Sequence, residues 1–218
     1  MSAFAQSHQV STSKDSVTSI SVNARIDYIL RFSKHAVLVV DESAEECSSV
    51  GYQFLDQLSS QHNAAFVSSS AKLNNIQIRC RIIEQLFSGC VFDPEQSLAV
   101  SIVNLLNANP QKLAIVIDNV QFSSLQIMHE LTQLALIAKK AQLDIEVLML
   151  GNHTAGMMLA EHKDLFNKKI SILSKQSGQL LSLNAKEFKT PQSWLTLTLS
   201  KKWIITLMSI SLLAIMTV

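Results

Sequence analysis

The stretch Lys112-Leu-Ala-Ile-Val-Ile-Asp-Asn119 constrains this chain more than any other. Five apolar residues, Leu113 to Ile117, lead without interruption into an acid and an amide, and Asn109-Pro110 breaks the chain just before them. A short, unbroken Leu/Ile/Val run between turn residues is the pattern of a strand buried on both faces of a parallel sheet. In such a sheet, chemistry collects beyond the carboxyl ends of the strands, so the pattern puts Asp118 at the edge that would face a ligand.

The rest of the chain repeats this alternation. Ala36–Val40, Ala64–Val67 and Ile145–Leu150 read as further strands, with Ile170–Leu173 and Leu180–Leu183 as weaker candidates. Between them, apolar residues recur at helical spacing. The predicted helices cover about 23–32, 45–60 and 74–87, then a segment that Pro94 opens and Leu106 closes, then 123 or 124 to about 141 under a Ser123 or Ser124 cap, and 154–166. Asn184-Ala-Lys-Glu187 has the spacing of a capping box. Strands alternating with helices predict an α/β fold, a parallel sheet covered by helices on both faces. With 218 residues, 48% of them hydrophobic, the chain is long enough for one such core.

The two ends differ. Residues 1–20 are rich in Ser, Gln, Thr and Val with no continuous apolar core, so they read as a disordered leader and not as a signal peptide. Trp203–Val218 has no charge over sixteen residues. At about 1.5 Å per residue it covers roughly 24 Å as a helix, a little less than a bilayer's hydrocarbon core. Lys201 and Lys202 abut it and Trp203 sits at its boundary, as interfacial anchors do. The expected organisation is a leader (1–20), a domain (21–190), a juxtamembrane linker (191–202) and a transmembrane helix (203–218). The positive-inside rule then puts the protein in the inner membrane as a single-pass chain with its domain in the cytoplasm. A formal net charge of +1 gives no reason to expect nucleic acid as partner. Cys47, Cys80 and Cys90 lack C-x-x-C spacing and read as reduced, buried thiols.

A phosphate-binding loop requires G-x-x-x-x-G-K-[ST] between a strand and a helix, so that backbone N–H groups and a lysine receive the polyanion. The matching place follows Val37–Val40. There Asp41 takes the first glycine position, Glu46 the second and Cys47 that of the lysine, and only Ser48 fits. Four carboxylates, Asp41, Glu42, Glu45 and Glu46, lie within this loop. Each like-charge approach at about 4 Å costs on the order of 1 kcal/mol in water and more in a drier cleft. Asp118 stands where a Mg²⁺-side acid belongs, but its neighbour is Asn119, which cannot accept a proton as a general base would. Asn152, after the fourth strand, falls where a polar sensor residue would stand. Strand-end capping and turn formation explain Asp118 and Asn152 without any catalysis. Other motifs fail. His129-Glu130 does not continue to H-E-x-x-H because position 133 is Gln133, and His153 and His162 read as surface residues.

Arg25-Ile-Asp-Tyr-Ile-Leu-Arg-Phe32, Phe92-Asp-Pro-Glu-Gln-Ser-Leu98, Ala114-Ile-Val-Ile-Asp-Asn119 and Glu146-Val-Leu-Met-Leu-Gly-Asn152 follow one another over roughly residues 20–190. In order and spacing they resemble the AAA-type domains of the DamX kind and, more broadly, the secretion-pathway A (ExeA/GspA) ATPases. The resemblance implies a P-loop NTPase-like fold, ATP with Mg²⁺ as ligand, a single transmembrane helix and a place in the bacterial envelope or cell-division machinery. The departures at Asp41, Glu46, Cys47 and Asn119 point instead to a pseudo-ATPase with no cofactor, acting through a protein partner or as a homo-oligomer. An active but divergent ATPase using Ser48, Asp118 and Asn152 is the alternative.

Overall fold

The computed structural model describes residues 22–188. The first five of the six candidate runs form the strands β1 (Ala36–Asp41), β2 (His62–Ser68), β3 (Lys112–Asp118), β4 (Ile145–Asn152) and β5 (Ile170–Ser174). They build a sheet in the order β2-β3-β4-β1-β5, parallel throughout, and a two-residue β6 (Leu180–Leu181) adds to β5 antiparallel. The sheet is thus six-stranded and mixed at one edge, where an all-parallel sheet was expected. A tight turn at Ser174–Gly178 sends the chain straight back along β5, which a parallel pairing cannot do. β1 is buried over its whole length, and β3 after its first residue, as continuous apolar runs require.

Helix α1 covers residues 22–28 and passes into a π-helical turn, Ile29–Ser33. It is followed by α2 (Ala44–Gln57), α3 (Asn75–Leu86), α4 (Leu98–Ala108), α5 (Leu125–Ala141), α6 (His153–Glu161) and α7 (Lys163–Phe166). The two faces of the sheet are covered unequally. Val37, Val39, Val116, Leu148 and Leu150 pack with Val22, Ile26 and Ile29 of the N-terminal helix and with Cys47, Val50 and Phe54 of α2. Leu38, Val40, Ile115, Ile117, Val147 and Met149 pack with α3 to α7. Handedness explains the inequality. From β1 the chain steps towards the β2 edge, whereas each later step, β2 to β3, β3 to β4 and β4 to β5, runs the other way. Right-handed crossovers in opposite directions must use opposite faces. The neighbours β1 and β4 therefore send their chains apart, which opens a crevice at their carboxyl ends.

Several boundaries differ from the sequence reading, each for a local reason. Pro94 lies in a turn and not in the first turn of α4: Asp93 accepts from Glu95 N–H at 2.9 Å, and the helix starts only after Ser97. The 154–166 segment is two helices broken at His162. Ser124, not Ser123, caps α5, while Ser123 is buried with its hydroxyl 2.7 Å from that of Ser69. Glu187 turns back to Ser182, accepting from its N–H at 2.7 Å, so Asn184 heads a turn and not a capping box. Trp203–Val218, with Lys201 and Lys202, lies outside the described residues. Among the described residues no helix is long and apolar enough to cross a membrane.

Candidate functional site

The crevice at the carboxyl edge is built by the ends of β1, β3 and β4. Parallel register places Asp41 beside Asn152 and Val40 beside Gly151, and on the other side of β4 it places Ser68 beside Asp118. Helix α2 starts at Ala44, so only Glu42 and Ser43 separate it from β1. The first turns of α2 therefore lie directly over the strand ends and bring Ser48 to Asp118.

Ser48 Oγ lies 2.9 Å from both carboxylate oxygens of Asp118. Asn119 Nδ2 donates to Asp118 Oδ2 at 2.9 Å and to Ser68 Oγ at 3.2 Å. Asn119 has φ +54°, a left-handed conformation that Asn tolerates better than most residues. That turn starts the short 3-10 segment Val120–Phe122, and Gln121 Nε2 donates back to Asn119 Oδ1 at 3.2 Å. The Asn152 side chain caps α6, accepting from Thr154 N–H at 3.0 Å. The structure thus brings Ser48, Asp118 and Asn119 into one hydrogen-bonded group and employs Asn152 as a helix cap.

The other half of the crevice is acidic and closed. Asp41 is buried, with Oδ1 accepting from Glu42 N–H at 2.7 Å and from Gln176 Nε2 at 3.1 Å. Lys175 Nζ stands 3.4 Å from Asp41 Oδ2 and 3.0 Å from Glu46 Oε2. Burial works against the Lys175 ammonium, but its hydrogen bond to Glu46 and the charges of Asp41 and Glu46 outweigh that and raise its pKa above the ordinary lysine value. Cys47 is fully buried and its Sγ donates to Gly151 O at 3.3 Å. Burial first, and then the Asp41 charge, push this thiol up to about 12.

Among the site residues that the sequence reading missed, Ser68 and Gln121 lie beside strand ends it had placed, whereas Lys175 and Gln176 come from a distant turn. The latter two sit in the turn after β5, and only the passage of the chain from β4 over β1 to β5 brings that turn beside Asp41. Their one sequence signal is a cation within the polar Ser174–Gly178 turn at a strand's carboxyl end.

This donor set does not fit the phosphates of a nucleotide. No glycine lies between Asp41 and Ser48, and α2 is already helical at Ala44, where a loop of free N–H groups would be needed. The one lysine at the site is already held by two carboxylates. Among the described residues, no three His, Cys, Asp or Glu side chains converge as metal ligands. Of the remaining candidates, Glu130 is buried against Arg79, His162 is exposed, and His153 is half-buried where a surface position was expected.

Sequence comparison matches no family profile and no curated protein. Solved structures do match. Cdc6p from Pyrobaculum aerophilum superposes with a TM-score of 0.52 at 14% identity, covering 77% of this chain and 47% of that one. The ORC2 protein of Aeropyrum pernix, in ADPNP-ADP complexes, gives 0.51 at 12% identity, covering 78% and 50%. A chain of the Drosophila ORC bound to AT-rich DNA and Cdc6 gives 0.50 at 12%, covering 76% and 59%. This chain spans about half the length of each of them. At such identities the likeness establishes the fold alone, an α/β, P-loop NTPase-like fold with a mostly parallel sheet.

Proposed function

We propose that this chain is a membrane-anchored pseudo-ATPase: a P-loop NTPase-like domain kept as a cytoplasmic protein-binding platform, tied to a bacterial inner membrane through Trp203–Val218. The observation that carries the proposal is the ion-paired closure of the crevice, in which Lys175 bridges Asp41 and Glu46 at 3.4 and 3.0 Å. A ligand polyanion would have to break that pairing and then meet two uncompensated carboxylates. Asn119 supports the same reading, because an amide offers an attacking water no base. The DamX-like motifs favour a role in the cell envelope or in division, through a protein partner or self-association.

Isothermal titration of the full chain with Mg²⁺-ATP and with Mg²⁺-ADP tests the central claim. The expected result is no binding heat up to about 1 mM ligand, a ceiling near 4 kcal/mol of affinity. Micromolar affinity would overturn the pseudo-ATPase reading. One observation favours the alternative, a divergent ATPase: the Ser48–Asp118 pairing is intact at 2.9 Å. That alternative predicts ATP turnover that Asp118→Ala abolishes.

A further inference from the structure

Five lysines that the crevice does not use gather at the opposite edge of the sheet, where β1 and β5 begin. Lys34 precedes β1 by two residues, and Lys168 and Lys169 lead directly into β5. Ala36 and Ile170, the first residues of these strands, are register partners, so the two lysine-bearing entries lie side by side. The C-terminal end of α5 joins them: Lys139 Nζ donates to Ser33 O at 2.8 Å, and Lys140 follows. Among the described residues none of these five lysines has a carboxylate within ion-pairing distance. The nearby acids are fewer than the lysines: Glu161 and Asp164 lie exposed on the helices before Lys168, and three others are engaged or set back. Asp27 is paired with Arg31 at 2.6 Å, Asp144 with Lys112 at 3.3 Å, and Glu146 lies in a cleft under α1 towards β3 and β4.

Beside the lysines stands an aromatic pair. Tyr28 and Phe32 are 61% and 72% exposed, with ring centroids 4.9 Å apart, and Phe32 directly precedes the residue that Lys139 holds. The carboxyl edge, by contrast, carries Asp41, Glu42, Glu46 and Asp118. The two sheet edges therefore differ in charge, and the cationic one carries an exposed aromatic pair beside its lysines.

We propose that the amino edge of the sheet is a docking face for an anionic membrane surface, with Lys34, Lys139, Lys140, Lys168 and Lys169 meeting lipid phosphates and Tyr28 and Phe32 resting at headgroup level. Unpaired lysines are drawn to the negative potential of an anionic leaflet, and amphipathic aromatic rings sit well at its interface. This deepens the membrane-anchored reading above and rests on it, since a tethered domain meets lipid at high effective concentration.

The test uses the full chain, reconstituted into vesicles of zwitterionic phosphatidylcholine or of phosphatidylcholine with about 30% phosphatidylglycerol. Amine-acetylation rates are read lysine by lysine by mass spectrometry. The expected result is labelling of the five lysines slowed about threefold or more by the anionic lipid, with Lys72 unchanged and the difference lost at about 0.5 M salt. The variant carrying Lys140→Glu and Lys168→Glu should lose the protection of Lys34 and Lys169. Equal labelling in the two lipids would overturn the proposal. So would protection that survives the double variant, or protection conferred by an oligonucleotide and not by phosphatidylglycerol. Resistance of the chain to carbonate extraction is scored separately: its failure sinks the anchor, while lysine protection that persists keeps the docking face.

Discussion

At the scale of single residues, the most consequential arrangement is one that no motif announces. Arg79 on α3 and Glu130 on α5 form a buried bidentate pair, Nε to Oε2 at 3.0 Å and Nη2 to Oε1 at 2.6 Å. Glu130 also accepts from Leu98 N–H at 3.0 Å and from Gln126 at 3.1 Å, and Arg79 donates to Pro94 O at 3.3 Å. Burial alone would raise the Glu130 carboxyl, but the hydrogen bonds from Arg79 and Leu98 and the guanidinium charge outweigh it and hold the pKa below the ordinary 4.5. Removing one partner strands a buried charge, so Glu130→Ala should cost about 3–5 kcal/mol in urea unfolding, while Arg79→Met with Glu130→Leu should come out close to neutral. A small loss in the single variant would refute this account. The pH sign follows from the depressed folded value. The pair's contribution is present above the unfolded pKa and lost as pH falls through the folded one, so Glu130→Gln should flatten the stability decline on acidification below about pH 4.5. Cys47 makes a second residue-level case. With a thiol pKa near 12 and full burial, it should resist maleimide at pH 8 in the native chain, while the half-buried Cys80 and Cys90 react first. Peptide mapping after labelling checks the order.

At the scale of elements, α2 decides the crevice because it packs so closely on the sheet. A Cβ at Gly51 would stand 2.5 Å from Leu150 Cδ1 and 3.3 Å from both Phe66 and Val116. Glycine in a helix interior costs about 1 kcal/mol against alanine, so close approach, and not local preference, explains it. Gly51→Ala should therefore destabilise the domain by about 1–3 kcal/mol despite the better helix former. A stabilised Gly51→Ala would show that α2 sits further from β4. The helix and strand identities were legible in the sequence because Leu/Ile/Val runs and helical periodicity are local signals. The start of α4, the break at His162 and the pairing of Glu187 with Ser182 were not, because each depends on hydrogen bonds made by a turn or by a distant carboxylate.

At the scale of the whole molecule, the two apolar layers close around the sheet within residues 22–188. The chain cut after Ser200 is accordingly expected to fold by itself. Circular dichroism should show mixed helix and strand, and urea should unfold it in one cooperative step. A fragment that is mostly unstructured would overturn this.

The sequence by itself determined the strands and the helices between them, since burial on two faces and alternation of elements admit few other architectures. It also showed that the glycines and lysine of a phosphate loop are absent from Asp41–Ser48. What only the tertiary structure decided is what stands in their place. Lys175 is more than a hundred residues from Asp41, and it arrives there because the crossover from β4 passes over β1 and lays β5 on its far side. The same crossover sets Lys168 and Lys169 beside Lys34. Charges scattered along a nearly neutral chain become an acidic edge and a basic edge only when the sheet aligns the strand ends, because strand polarity, unlike composition, is a property of the assembled fold.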